Sequence, residues 1–388
     1  MSTLQHETRG EITEGLARLQ LPPEPRSVFY NPKMSLNRDL AVLFASSYFP
    51  ASKEIRLCDP MTGSGVRTVR YLLETPIVGH VLAADRDEAA VNLARWTILL
   101  NGLNHRVAVL RGDAYTILSG NATDRFDVID LDPFGSPAPF FECALRATAD
   151  GGVIAATATD MGPLSGARPT ACIRKYGVSP IRVEFEKELA LRTLVSCLST
   201  TACKLELGVT IAFAHATDHY ARLYAVVRKG RKLANQTLES LGYLAYCPNC
   251  LSRIEARSIS MLHNRCAICG SPAHIGGPFW LGPMWDMETV NSMIQRTPSL
   301  ISSRLSEVQK ILGRVSEEAD APMFYYTTEE VASVYGVKTP SLELLIHSLR
   351  AGGYKATRTH FSPTGFRTDA SLQAIVACFR TVADKSQT

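Results

Sequence analysis

One short stretch, VIDLDPFGSPAPF from Val128 to Phe140, ends an apolar run on two carboxylates, Asp130 and Asp132, followed by Pro133, Phe134 and Gly135. A carboxylate at the end of a buried strand can accept an N–H bond and then a proton, and an exposed aromatic ring beside it can stack on a planar base. An exocyclic base amine needs that help. Its lone pair is delocalised into the ring, so it attacks only when oriented and relieved of a proton. Asp132 and Phe134 are the candidate catalytic pair, and a backbone carbonyl near Pro133 is a second acceptor. Asp130 shares a strand face with Asp132 and reads as structural.

Upstream, LCDPMTGSGVRTVRY reads as a strand, a glycine turn and a helix start. Gly63 and Gly65 let the chain turn tightly and bring backbone close to a ligand. A dinucleotide fingerprint would need a third glycine at position 68, where Thr68 follows Arg67. Asp59 would repel a pyrophosphate but suits a cation, such as the ammonium and sulfonium of S-adenosylmethionine. Asp85 ends the next strand and can accept from both ribose hydroxyls. Asp113 with the backbone of Ala114 can take the adenine amine. Any one of these acids is explained by turn or capping chemistry. Three at successive strand ends, behind a glycine loop, outline a cofactor edge made of Asp59, Gly63, Gly65, Arg67, Asp85, Asp113 and Ala114.

CPNC and CAIC place Cys247, Cys250, Cys266 and Cys269 as two C-x2-C pairs separated by 15 residues. That spacing predicts a tetrahedral structural zinc with no position open for catalysis. His263 and His274 lie nearby and are assigned no ligand role.

Around these residues, segments 54–230 alternate strand and helix, which predicts a parallel sheet covered on both faces. Two closing strands, LELGVTIAFAHAT and YARLYAVVRKG, are joined by a short turn and must pair antiparallel. The expected fold class is α/β, Rossmann-like with a reversed last strand, followed by a C-terminal α+β unit carrying the zinc module. A change of pattern near 232–238 divides the chain into 1–235 and 236–388. A long helix is expected at about 179–200, a long loop over TDMGPLSGARPTACIRKYG, and a winged-helix-like unit over 327–385, with Thr327 and Glu330 forming a capping box ahead of a helix near 339–351.

At 388 residues with 46% hydrophobic and 20% charged content, the chain can fill two cores and is not a disordered protein. Its net charge of +4 permits a nucleic-acid partner only if cations cluster. Three clusters qualify: Arg228, Lys229, Arg231 and Lys232; Arg253, Arg257, His263 and Arg265; and the acid-free run from Arg350 to Arg367, with His360 and interleaved Tyr354 and Phe361. A polar start, MSTLQHETRGEITEG, and the absence of an apolar run of spanning length predict a cytoplasmic chain with reduced cysteines and no membrane partner.

VFYNPKMSLNRDLAVLF, DPMTGSGVRTVRY, DLDPFGSPAPF, ATDMGPLSGARPTACIRKYG, GPFWLGPMWD and RTHFSPTGFRTDA together resemble the tRNA guanine-N2 dimethyltransferase family over about residues 9–370. The resemblance implies an archaeal-like enzyme that methylates guanine 26 of tRNA with S-adenosylmethionine. It also implies that Arg38, in the NRD motif, binds the methionyl end of the cofactor. Ser165 departs from the family's PLCG segment, where Cys is expected, and touches no proposed catalytic residue. Two other readings stay open: methylation of another exocyclic amine such as adenine N6, and a non-catalytic zinc-bearing RNA-binding protein. No protein partner is implied.

Overall fold

The computed structural model describes residues 9–21, 30–121, 123–217 and 219–385. Residues 1–8 of the polar start, and Val28 and Phe29 of the VFYNP motif, lie outside the described residues.

A hairpin opens the chain: β1 (Arg9–Glu14) and β2 (Ala17–Leu21). Then come α1 (Ser35–Tyr48), β3 (Ile55–Asp59), α2 (Val66–Glu74), β4 (Val78–Asp85), α3 (Glu88–Leu100), β5 (Val107–Arg111), α4 (Ala114–Gly120), β6 (Phe126–Leu131), α5 (Phe141–Ala147) and β7 (Thr148–Ala158). Short α6 (Met161–Leu164) and α7 (Pro169–Tyr176) precede α8 (Glu186–Lys204), β8 (Leu207–Thr217) and β9 (Tyr220–Lys229). The seven-stranded sheet runs β5-β4-β3-β6-β7-β9-β8. Its β3–β7 pairs are parallel, and β9 runs antiparallel between β7 and β8. Strands buried on both faces need continuous apolar sequence. Val128, Ile129, Leu131, Val153, Ile154 and Leu223 are all buried accordingly. Each such side chain stabilises the fold by about 1.5–3 kcal/mol.

Two expectations are corrected. The segment after β7 is not an open loop: Pro169 starts α7 and Gly177, at φ 69°, ends it. The long helix begins at Glu186 rather than near 179, because Ser179 pairs instead with Gly277 in an isolated bridge.

The chain continues through α9 (Arg231–Glu239), β10 (Leu241–Tyr246), β11 (Arg253–Ala256), β12 (His274–Trp280), α10 (Met287–Arg296), α11 (Leu305–Glu318), β13 (Tyr326–Thr327), α12 (Thr328–Tyr335), α13 (Leu342–Ala351), β14 (Ala356–Arg358), β15 (Gly365–Thr368) and α14 (Leu372–Lys385). Position 235/236 falls inside α9, whose Thr237 hydroxyl accepts from the Val209 amide of β8. From α11 to β15 the order helix, strand, two helices and antiparallel hairpin, with sheet order β13-β15-β14, is that of a winged helix. Thr327 caps α12, not the later α13, by accepting from the Glu330 amide.

The acid-free run from Arg350 to Arg367 forms only part of the expected cationic face: Arg350 and Lys355 are exposed, but Arg367 and His360 turn inward. Arg367 is buried and pairs with Glu188 of α8 and Glu318 of α11. The His360 side chain is also buried, 2.5 Å from Glu318 Oε1, and Phe361 lies in the core. Arg192 completes the cluster on Glu188. Burial opposes ionisation of Glu318, but Arg367 and His360 outweigh it and hold the carboxyl down at about 2. Arg253 likewise leaves the expected RNA face: it pairs with Glu184 and donates to the carbonyls of Phe324 and Tyr325. Buried charges persist only when paired, and these acids lie far away in sequence. The pairs tie α8 to the winged-helix unit. Arg228, Lys229, Arg257, His263 and Arg265 stay exposed.

Candidate active site

A cavity of about 750 Å3 opens at the carboxyl ends of β3, β4, β5 and β6. The chain leaves β3 for β4 and β5 on one side and returns to β6 on the other, so the cavity sits where strand order reverses. Arg38, Asp59, Gly63, Arg67, Asp85, Asp113, Ala114, Asp132 and Phe134 all line it.

Local backbone explains the glycine turn. Gly63 and Gly65 have φ of 53° and 78°. A Cβ on Gly65 would also stand 3.0 Å from the Ala94 Cα, so α3 leaves no room for a side chain there. The Gly63 amide donates to Asp85 Oδ2, and Asp87 N donates to Oδ1, which orients the β4 acid. Asp113 accepts from the Tyr115 amide and so caps α4 while lining the cavity. In both acids turn or capping chemistry and cavity position coincide.

The strand-end acids differ in electrostatics. Asp130 is fully buried and accepts from both Arg222 Nη atoms at 2.8 Å and from the Tyr71 hydroxyl at 2.8 Å. Burial opposes its charge, but Arg222 and Arg67 hold it down at about 2. Its structural assignment agrees with this cage. Asp59 is buried with a hydrogen bond from Thr68. Burial first, then the Asp130 charge, push it up to about 7. A buried acid held near neutrality beside an open cavity suits a cationic ligand.

Asp132 is partly exposed, and its Oδ2 accepts from Arg67 Nη2 at 2.5 Å. Phe134 is 82% exposed on the following turn. That turn is pinned to the end of β7, where Gly135 N donates to the Thr159 hydroxyl and Thr159 N donates to the Gly135 carbonyl. Arg38 is buried and donates to both oxygens of Glu14 and to the Asn31 carbonyl. Glu14 also takes Arg70, which pairs with Asp39. Just past β7, Asp160 accepts from Lys175 and Tyr176 of α7.

Sequence reasoning missed Glu14, Asn37, Arg70, Arg222 and Thr159. Arg222 did leave a signal: a lone cation within the apolar strand YARLYAVV requires a buried anion.

The four cysteine sulfurs lie within 4.8 Å of one another, with Cys247 and Cys269 3.5 Å apart and Cys250 and Cys266 3.6 Å apart. Zn–S bonds of about 2.3 Å put tetrahedral sulfurs roughly 3.8 Å apart, so the thiolates fit the metal. Two like knuckles build the cage. Leu251 N donates to the Cys247 carbonyl and Gly270 N to that of Cys266, with left-handed φ of 60° and 74° at Leu251 and Gly270. Complete burial of the Leu251 side chain compensates its backbone strain.

A family profile described as N2,N2-dimethylguanosine tRNA methyltransferase matches residues 12–380. The chain belongs to that family. Among its relatives, tRNA (guanine(26)-N(2))-dimethyltransferase of Methanosphaera stadtmanae is 32% identical over 94% of this chain and 95% of its own. The Methanosphaerula palustris enzyme of the same name is 36% identical over 95% and 98%. A relative from Aquifex aeolicus, 32% identical over 94% of each chain, is named for guanine 26 and guanine 27. The solved structure of Trm1 from Pyrococcus horikoshii with S-adenosyl-L-methionine superposes with a TM-score of 0.87 at 32% identity, covering 96% of this chain and 100% of that one. The methyltransferase family thus spans the cavity, the zinc knuckles and the winged helix together.

Proposed function

We propose that the protein transfers methyl groups from S-adenosylmethionine to N2 of guanine 26 in tRNA, giving N2-methyl- and N2,N2-dimethylguanosine. The observation that carries this is one cavity, at the strand-order reversal, holding both a cofactor-type edge and the Asp132–Phe134 turn, in a chain matched along its length by this family. The sulfonium supplies an activated methyl group. Asp59 faces its cationic end, Arg38 and Arg67 stand for its carboxylate, Gly63 admits it closely while Gly65, off the cavity lining, lets the turn pack against α3, Asp85 takes the ribose, and Asp113 with Ala114 the adenine. Phe134 stacks on the base, and Asp132 accepts the amine N–H and then its proton. A base held inside a folded RNA must be extruded to reach Phe134.

Residues 1–235 act as the catalytic unit and 236–388 as the tRNA-holding unit, stabilised by a structural zinc on Cys247, Cys250, Cys266 and Cys269. A tRNA substrate fits a cytoplasmic protein. No helix among the described residues is long and apolar enough to cross a membrane.

Asp59 makes cofactor affinity pH-dependent. With its carboxyl at about 7 in the free protein, it is neutral and protonated below that value. A cation prefers the ionised form, so affinity rises with pH and binding releases a proton. Calorimetry from about pH 6 to about pH 7.5, in buffers of different ionisation enthalpy, should show roughly tenfold tighter binding with proton release. A flat profile would remove Asp59 from the cation's neighbourhood.

Nucleoside mass spectrometry of unmodified tRNA transcripts, incubated with protein and labelled cofactor, tests the whole reading. Label in N2-methylguanosine or N2,N2-dimethylguanosine, lost when guanine 26 is replaced, supports it. Label in methyladenosine points to another exocyclic amine. Cofactor binding with no label on any transcript supports a non-catalytic RNA-binding role.

A further inference from the structure

We propose that Arg67 is the positioning residue of Asp132, and that by holding one carboxylate oxygen it presents the other, Oδ1, as the acceptor for both methyl transfers. This rests on the reading of Asp132 as the residue that meets the amine. Arg67 is buried on the first turn of α2. Its Nη2 donates to Asp132 Oδ2 at 2.5 Å and to Asn37 Oδ1 at 2.9 Å, while Nη1 reaches Asp130 Oδ2 at 3.3 Å. Asp130 does not depend on that longer contact, since Arg222 and Tyr71 already serve both its oxygens. The short contact of the planar guanidinium is therefore the one on Asp132, with Asn37 on the same Nη2 and Asp130 on Nη1 fixing its plane.

The consequence lies in the oxygens. Oδ2 of Asp132 is taken, and Oδ1 has no hydrogen-bond partner among the described residues. Of the two oxygens, Oδ1 is the one left fully open to the amine. In the first transfer the N2 lone pair attacks the methyl carbon. The C–S bond breaks, its electron pair stays on sulfur as a thioether, and one N2 proton passes to Oδ1 and on to water. The monomethylated amine keeps one N–H. A single fixed acceptor receives it as it received the first, with the new methyl in the place of the lost hydrogen. One N–H is consumed per transfer, so the amine's two hydrogens allow two transfers through the same acceptor.

A double-mutant cycle tests this in the full-length protein with tRNA transcript, at saturating cofactor, in single-turnover assays with labelled methyl. Arg67→Met should lower the rate of both transfers about a hundredfold, the scale of an ångström-sized misplacement, with KM for tRNA changed only a few-fold. Arg67→Lys should recover about a tenth of the wild-type rate, since it restores charge without the fork. In an Asp132→Asn background, which keeps an amide oxygen as acceptor, Arg67→Met should add little further loss. Equal losses in both backgrounds would make Arg67 merely structural and overturn the proposal. Full recovery by saturating cofactor would overturn it too, leaving Arg67 as a cofactor ligand alone. If Arg67→Met does not fold, as judged by melting, Arg67→Lys carries the same cycle. An Asp132→Asn protein of wild-type rate would instead sink the reading of Asp132, a result separable from the others.

Discussion

Asp132→Ala should abolish methyl transfer to guanine and leave S-adenosylmethionine binding within a few-fold. Loss of a positioned acceptor in a proton-transferring step costs about 100- to 10,000-fold in rate, roughly 3–5 kcal/mol of barrier. The fold tolerates the change because Asp132 is partly exposed, and Arg67 retains Asn37 and Asp130 as partners. Cofactor calorimetry and radiolabel transfer, measured on one preparation, separate the two effects. Equal loss of binding and rate would reassign Asp132 to the cofactor or the fold. A rate within threefold of wild type would require another acceptor beside Phe134.

The second large effect is at the metal. Cys250→Ser removes one thiolate from a cage of four, and zinc content measured by plasma mass spectrometry falls from about one per chain to near zero. Structural zinc contributes folding free energy directly, on the order of several kcal/mol and often more. The loss should spread beyond the knuckles. The Cys250 carbonyl accepts from the Tyr335 hydroxyl of α12 at 2.9 Å, and Arg253, three residues on, bridges Glu184 and the chain before β13. Lower melting temperature and weaker tRNA binding are therefore expected, with cofactor affinity retained, because the cavity lies in the other unit. Unchanged metal content and melting would remove the zinc assignment.

What could be read from the chain alone was local. Strands, helices and the reversed hairpin follow from periodicity within each segment, and the strand-end acids follow from where apolar runs stop. The four cysteines are legible because each pair sits in one tight loop. Chemistry that a local turn decides can be seen in a few consecutive residues. An exception shows the limit: Leu251 takes the left-handed backbone that Gly270 takes in the sister knuckle, and only its buried side chain explains why.

Partner choice between distant charges was not legible. Arg350–Arg367 reads as a cationic face, yet Arg367 and His360 lie inside, against Glu188 and Glu318. Arg38 in the sequence is one cation before the first sheet strand; the fold gives it Glu14 from the opening hairpin. The sequence by itself determined the doubly wound sheet, the row of strand-end acids behind the glycine turn, the Asp132–Phe134 turn and the four-cysteine cage. Only the tertiary structure decided which charges face solvent and that Arg67 holds Asp132. The physical reason is that apolar periodicity and turn geometry act within a few residues. A charge's environment is instead set by whatever acid the fold brings within about 4 Å of it, from any distance along the chain.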